Sequence, residues 1–155
     1  MKYLVFSDSH GDTANMIAAL SDHPEISRVL FLGDGFNTLE KLKEYAPHLE
    51  IFAVKGNCDD CLCPLPPLLM LDDCGKRIML VHGHNHGVKY DSPALTLAAK
   101  ENGADIVCFG HTHRRYELYE NGVYYFNPGS IRQSKYAYGI LDITANAVLF
   151  GTPAT

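Results

Sequence analysis

The chain has 155 residues, the length of one ordinary domain. Lys and Arg total 13 against 18 Asp and Glu, and the resulting net charge of −5 argues against a protein that tracks nucleic-acid phosphates. With 46% hydrophobic and 20% charged residues the composition excludes disorder, a chain this long buries ~68–70% of its unfolded surface, and no apolar run reaches the ~18 residues of a membrane span.

Met1 and Lys2 lead into Tyr3-Leu4-Val5-Phe6, too short an apolar stretch for a secretory signal and without a small-residue cleavage site after it. It reads as a first buried strand, Lys2–Ser7, and a cytoplasmic location is expected by default. Thr13–Ser21 reads as a helix capped by Asp12 or Thr13, with Ile17 and Leu20 on one face. Arg28–Leu32 is a second strand, Thr38–Tyr45 a second helix stopped before Pro47, and Glu50–Val54 a third strand. The proline-rich stretch Cys58–Pro67 is a loop. Leu68–Leu71, the turn Asp72-Asp73-Cys74-Gly75 and Arg77–Val81 make a hairpin. The next element is a helix, with Ser92 as cap, Pro93 at its first position and Gly103 at its end. Asp105–Phe109 is a buried strand. Tyr116–Tyr119 and Val123–Phe126 form a hairpin through a type I′ turn at Asn121-Gly122, and Tyr138–Ile143 with Ala147–Phe150 ends the chain.

There is no repeat, low-complexity tract or linker, so residues 1–155 are expected to form one domain. Alternating strands and helices followed by hairpins predict an α/β sandwich of two packed sheets with helices outside. The apolar Pro64–Leu71 segment reads as an oligomer contact or a flap, or more simply as a loop packed on its own core, so a homo-oligomer is only a leaning.

The five cysteines are an odd number, unlike a secreted disulfide framework. Cys58, Cys61, Cys63 and Cys74 lack the paired spacing of a structural zinc site, so reduced, mostly packed thiols are expected. Cys108 belongs to the core.

The chemistry lies in the polar residues directly after each apolar strand. The first strand ends in Asp8-x-His10, the second in Gly33-Asp34 and the third in Gly56-Asn57. Two later strands end in His82-Gly83-His84 and in Gly110-His111-Thr112-His113. The C-terminal strand edge is where open α/β sheets bind ligands. Taken singly, Asp34 would be a turn former and His82 a hydrogen-bonded core residue. Of the eight histidines, His23 and His48 lie in loops beside prolines; the other six sit in these clusters. A mixture of carboxylate, amide and imidazole suits two divalent ions of intermediate hardness, joined by a shared carboxylate.

In this order the motifs resemble the calcineurin-like metallophosphoesterase superfamily. The late Asn127-Pro128-Gly129-Ser130 and the short length resemble its small YfcE-type phosphodiesterase branch, and the likeness runs from about residue 1 to 143. The resemblance implies a four-layer αββα sandwich of two mixed sheets flanked by helices. It implies that Asp8, His10 and His113 hold one metal, that Asn57, His82 and His111 hold a second, and that Asp34 bridges both. Manganese is the expected ion, with iron, zinc or nickel as alternatives. His84 is the expected catalytic helper, facing substrate or lying behind the ligands, and Asn57 and Cys58 are the expected substrate contacts. Many relatives carry His directly after the Asn; here Cys58 stands there, a neutral thiol in place of an imidazolium.

The implied activity is hydrolysis of a small phosphodiester with a good leaving group by a hydroxide bridging the two ions. No nucleic-acid or membrane partner is expected. Arg114 and Arg115 read as solvated strand-start charges, and Lys55, Lys89 and Arg132 as further candidates for the pocket rim. The rival reading is a protein-interaction scaffold like the small retromer subunit, which resembles this fold with a degraded metal set. All seven ligand positions here carry competent side chains, which favours catalysis.

Overall fold

The computed structural model describes residues 1–88, 93–144 and 148–151, the last of these through the backbone alone. In chain order the first half holds β1 (Lys2–Phe6), α1 (Ala14–Asp22), β2 (Arg28–Phe31), α2 (Phe36–Tyr45), β3 (Glu50–Ala53), β4 (Leu68–Asp73) and β5 (Lys76–Val81). The second half holds α3 (Ala94–Glu101), β6 (Ile106–Cys108), β7 (Arg115–Glu120), β8 (Val123–Pro128), β9 (Gly139–Ile143) and β10 (Val148–Gly151). One sheet runs β10-β9-β1-β2-β3 and the other β4-β5-β6-β8-β7. In the first, β1, β2 and β3 are parallel; in the second, β5, β6 and β8 are parallel and the outer strands antiparallel.

Strand alternation builds the layers. Tyr3, Val5, Leu30 and Leu32 of the first sheet meet Ile78, Leu80, Ile106, Cys108 and Phe126 of the second, forming the core between them. The opposite faces, Leu4 and Phe6 or Val29 and Phe31, pack on Met16 and Ala19 of α1 and Leu39 and Leu42 of α2. Met79, Val81, Val107 and Phe109 pack on Leu95 and Ala99 of α3. The result is the expected αββα sandwich. Among the described residues no helix is long and apolar enough to cross a membrane.

Several local expectations need adjusting. α1 buries Met16 and Ala19, while Ile17 and Leu20 flank that face half-buried. α2 begins two residues before Thr38, because the Asp59 carboxylate, from a distant loop, accepts the N–H groups of Gly35 and Phe36. The β4–β5 turn narrows to Cys74 and Gly75, both with positive φ (51° and 76°), since pairing continues to Asp73 opposite Lys76. The Asn121-Gly122 turn has positive φ at both positions (52° and 81°), as a type I′ turn demands. Pro93 stands just before the first residue of α3; the expected cap Ser92, the rim candidate Lys89 and the strand start Ala147 lie outside the described residues. Of the apolar 64–71 segment, Leu65 rests on the helix-side core and β4 contributes to the cores on both faces of its sheet, while Pro64, Pro66 and Pro67 are exposed. Only one thiol is packed. Cys108 is buried, Cys63 half-buried, and Cys58, Cys61 and Cys74 exposed, because the 58–67 loop and the hairpin turn lie on the surface.

Candidate metal centre

Parallel pairing puts the C-terminal ends of β1, β2 and β3 on one edge of their sheet, and those of β5 and β6 on the matching edge of the other. Main-chain bonds fix the loops that leave them. Asp8 N donates to the Gly33 carbonyl (3.0 Å), His10 N to the Asp34 carbonyl (3.0 Å) and Gly110 N to the His82 carbonyl (2.9 Å). The sheets are tied together at this edge by the His82 ring against the Leu32 carbonyl (2.7 Å) and by His111 N donating to Asp8 Oδ2 (3.1 Å).

The seven side chains singled out in the sequence converge in two overlapping sets. In one, His113 Nε2 lies 3.1 Å from Asp8 Oδ1 and 3.3 Å from His10 Nε2. In the other, His82 Nε2 lies 3.1 Å from Asp34 Oδ2, and His111 Nδ1 lies 3.1 Å from Asn57 Oδ1. Asp34 Oδ2 is also 3.9 Å from His10 Nε2, so this carboxylate reaches both sets. The donor atoms of Asp8, His10 and His113 all lie within 4.8 Å of one another, as do those of Asp34, His82 and His111.

His82 tests whether a cation suits this place. Its Nδ1 faces a carbonyl, which can only accept, so Nδ1 carries the hydrogen. In the neutral ring Nε2 then presents a lone pair. That buried atom has no hydrogen-bond partner, yet it faces Asp34 Oδ2 at 3.1 Å and Asp8 Oδ1 at 3.7 Å. Lone pairs converging at such distances repel unless a cation, proton or metal, sits among them. The titration shifts agree. Burial pushes the His82 pKa down, but the facing Asp34 and Asp8 carboxylates override it, and the net shift is upward. Burial pushes Asp34 up, but His82 and the Cys58 N–H hold its carboxyl well below the usual carboxylate range. The donor set therefore fits divalent metal ions.

The backbone is strained where the donors sit. Seven described non-glycine residues have positive φ, and two of them, Cys74 and Asn121, are in hairpin turns. The other five are Asp8, His10, Asp34, His111 and His113. Each such conformation costs about 1–3 kcal/mol and persists only where the surroundings enforce it. Glycine makes room for two of the carboxylates. A side chain at Gly56 would overlap Asp34 Oδ1, and one at Gly110 would overlap Ser7 Oγ and approach Asp8 Oδ2 to 2.8 Å.

The residues that enforce this geometry escaped sequence reasoning. Asp59 accepts four main-chain N–H groups: Asp34 (3.0 Å) and Gly56 (2.8 Å) on Oδ2, Gly35 (2.9 Å) and Phe36 (3.0 Å) on Oδ1. It thereby caps α2 from outside and locks the Asp34 loop to the Asn57 loop. Ser130, at the end of the late Asn127–Ser130 motif, is buried and donates to the Asp8 carbonyl (2.8 Å). Buried Asn127 donates to the Gly110 carbonyl (3.1 Å) and to Thr112 Oγ1 (3.0 Å). Ser7 donates to Asp8 Oδ2. The Gln133 amide meets His113 Nδ1 at 3.1 Å. Asn127 and Ser130 stood out only as ends of the late Asn127–Ser130 motif, and for Asp59 and Ser7 the one signal was proximity in sequence to Cys58 and Asp8.

His84 lies in a short 3-10 turn, His84–His86, that the sequence did not suggest. Its ring centroid is 5.5 Å from that of His82 and 6.2 Å from that of His111, and its buried Nδ1 has no hydrogen-bond partner. Burial and the His82 charge push its pKa down. Cys58 is exposed, but its Sγ lies within 4.8 Å of donor atoms of both His10 and Asp34. Partial burial and the Asp34 charge push this thiol up. Among the described residues Cys61, Cys63 and Cys74 join no such donor group. Arg115 is engaged by Glu117 (2.8 Å), and Lys55 by the Cys61 carbonyl (3.3 Å).

Residues 1–146 match the family model of the calcineurin-like phosphoesterase superfamily domain. The chain belongs to that superfamily. Its relatives include a probable metallophosphoesterase, YsnB, of Bacillus subtilis, 34% identical over 153 residues spanning 95% of this chain and 87% of YsnB. Phosphodiesterase YfcE of Escherichia coli is 28% identical over 173 residues, spanning 92% and 88%. Among solved structures, Vps29 of Entamoeba histolytica superposes with a TM-score of 0.78 at 25% identity, over 99% of this chain and 98% of Vps29. The superfamily is one of phosphoester hydrolases that bind divalent metals, and the clustered donors here suit such ions.

Proposed function

We propose that this calcineurin-like phosphoesterase is a dinuclear phosphodiesterase. Asp8, His10 and His113 would hold one ion, Asn57, His82 and His111 the other, and Asp34 both, with manganese the first choice. The supporting observation is that two donor sets share Asp34 and surround an imidazole lone pair no protein hydrogen satisfies. When bound, the ions would clamp the phosphoryl oxygens and supply nucleophilic hydroxide near neutral pH. The chain does the rest. It fixes the donors on strained, hydrogen-bonded loops, so no reorganisation is needed when charge builds on phosphorus. In this reading Asn57 and Cys58 would contact the substrate phosphate, and His84, on the 83–87 turn, would be the helper.

What the chain lacks at this site sets the substrate range. The position after Asn57 carries a thiol, pushed up by partial burial and the Asp34 charge, where many relatives carry an imidazole. It gives no strong acid for the leaving oxygen, so aryl or otherwise activated small phosphodiesters are preferred over alkyl monoesters. Turnover of matched aryl and alkyl diesters tests this: equal rates with chemistry limiting would refute it. Cys58→His should extend turnover toward monoesters. The likeness to Vps29 favours a second reading, a protein-interaction scaffold. Stoichiometric metal binding with no turnover on a diester panel would support that reading instead.

A further inference from the structure

The phosphodiesterase reading uses the donors but leaves the charges around them unexplained. Among the arginines, Arg28 pairs with Glu50 (3.3 Å), Arg77 with Asp72 (3.4 Å) and Arg115 with Glu117 (2.8 Å). Arg132 is exposed, and among the described residues its side chain has no hydrogen-bond, ion-pair or ring partner. It borders a cavity of about 420 Å³ that it shares with His10, Asp34 and Cys58. Arg114, likewise without a side-chain partner among the described residues, opens onto a different cavity between α3 and β7.

Two more side chains on the Arg132 cavity are unused by the fold. Phe36 is half-buried but belongs to none of the three apolar clusters. Asn37 is exposed, and among the described residues its amide has no partner. Of the three carboxylates there, Asp34 belongs to the donor sets, Asp59 faces four main-chain N–H groups, and exposed Asp60 accepts Leu62 N on Oδ1 (2.8 Å). What remains is an aromatic ring, an amide and a guanidinium. The ring offers a stacking face, the amide paired donor and acceptor groups, and the guanidinium a planar fork matched to phosphate. The volume lies within the ~300–1,000 Å³ of small-molecule sites.

We propose that this cavity is a nucleotide subsite. A nucleoside arm of the diester lies against Phe36 and Asn37, a second phosphate on that arm meets Arg132, and the scissile phosphate lies at the metal centre. The substrate class is thus a phosphodiester with a nucleoside arm that carries a phosphate of its own. The inference rests on the phosphodiesterase reading, and its test separates the two.

Two esters are compared on manganese-loaded protein: thymidine 5′-(p-nitrophenyl phosphate), with and without a 3′-phosphate. Calorimetric binding of thymidine 3′,5′-bisphosphate and thymidine 5′-monophosphate gives a readout independent of turnover. The wild-type protein should bind the 3′-phosphorylated ester and the bisphosphate at least fivefold more tightly than their partners. Arg132→Ala should abolish that preference, and Phe36→Ala should raise KM for both nucleoside esters at least fivefold. Arg132 makes no contact that the fold needs, so its alanine variant keeps the test decisive. A 3′-phosphate without effect, or a preference that survives Arg132→Ala, would overturn the subsite. Absence of turnover on every diester would overturn the parent reading, and the binding preference would still decide this one.

Discussion

Replacing Asp59 by asparagine probes how the centre is held. Each carboxylate oxygen takes two main-chain N–H groups, at 2.8 to 3.0 Å. In Asp59→Asn one oxygen becomes an NH2 group that faces two donors, so two of the four bonds are lost whichever way the amide turns. Hydrogen bonds to a charged acceptor contribute about 1.5–3 kcal/mol each. At this half-buried site the lower figure applies, giving a loss of about 3 kcal/mol from a domain whose total is about 5–15 kcal/mol. The damage extends to metal binding, because either orientation costs two bonds in the loops that carry donors: those from Asp34 N (φ 63°) and Gly56 N, or those from Gly35 N and Phe36 N directly after Asp34. Partners that orient ligands change metal affinity about 10–100-fold. Urea unfolding of the metal-free protein and calorimetric metal titration measure the two effects. Asp59→Ala, which loses all four bonds, should be weaker still in both. A variant within about 1 kcal/mol of wild type and with unchanged metal affinity would refute the role given to Asp59.

Two further outcomes are expected. With a thiol reagent, exposed Cys61 should react fastest in the native protein; Cys58 and Cys74, exposed but pushed up beside Asp34 and Asp73, and half-buried Cys63 should react more slowly, whereas Cys108, buried and pushed up to about 12, should react only on unfolding. In metal-free protein the raised His82 pKa contributes stability that is full below its unfolded value of about 6.5 and lost as pH rises through the folded value. The depressed Asp34 pKa contributes above about 4 and is lost only in strong acid. Metal must displace the His82 proton, so metal affinity should rise with pH across neutrality, with proton release seen in calorimetry across buffers; a pH-independent affinity would contradict this.

The sandwich was legible because its strands are short apolar runs whose alternation both sheets require. The donors were legible because each comes directly after such a run: Asp8 after Phe6-Ser7, Asp34 after Leu32-Gly33, His82 after Val81. Whatever depends on contacts distant in sequence could not be read. α2 starts early because Asp59, more than twenty residues downstream, caps it. The thiols were expected to pack, although Cys58–Pro67 reads as a loop and loops run over the surface, which is where Cys58 and Cys61 lie. Asp and His enter the left-handed region more often than most residues, but nothing local told which of them would, and positive φ at Asp8, His10, Asp34, His111 and His113 emerged only with the fold. Asn127 and Ser130 stood in the sequence as a motif without a stated role, and their roles emerge only when the end of β8 brings them beside the Asp8 and Gly110 loops.

The most direct measurement is the metal content of purified protein reconstituted with manganese, for wild type and for Asp34→Asn. The shared-carboxylate centre predicts two ions per wild-type chain, and at most one, with diester hydrolysis lost, once the carboxylate that reaches both donor sets becomes an amide. A wild-type chain that binds no metal, or an Asp34→Asn chain that still holds two ions and turns over substrate, would contradict it.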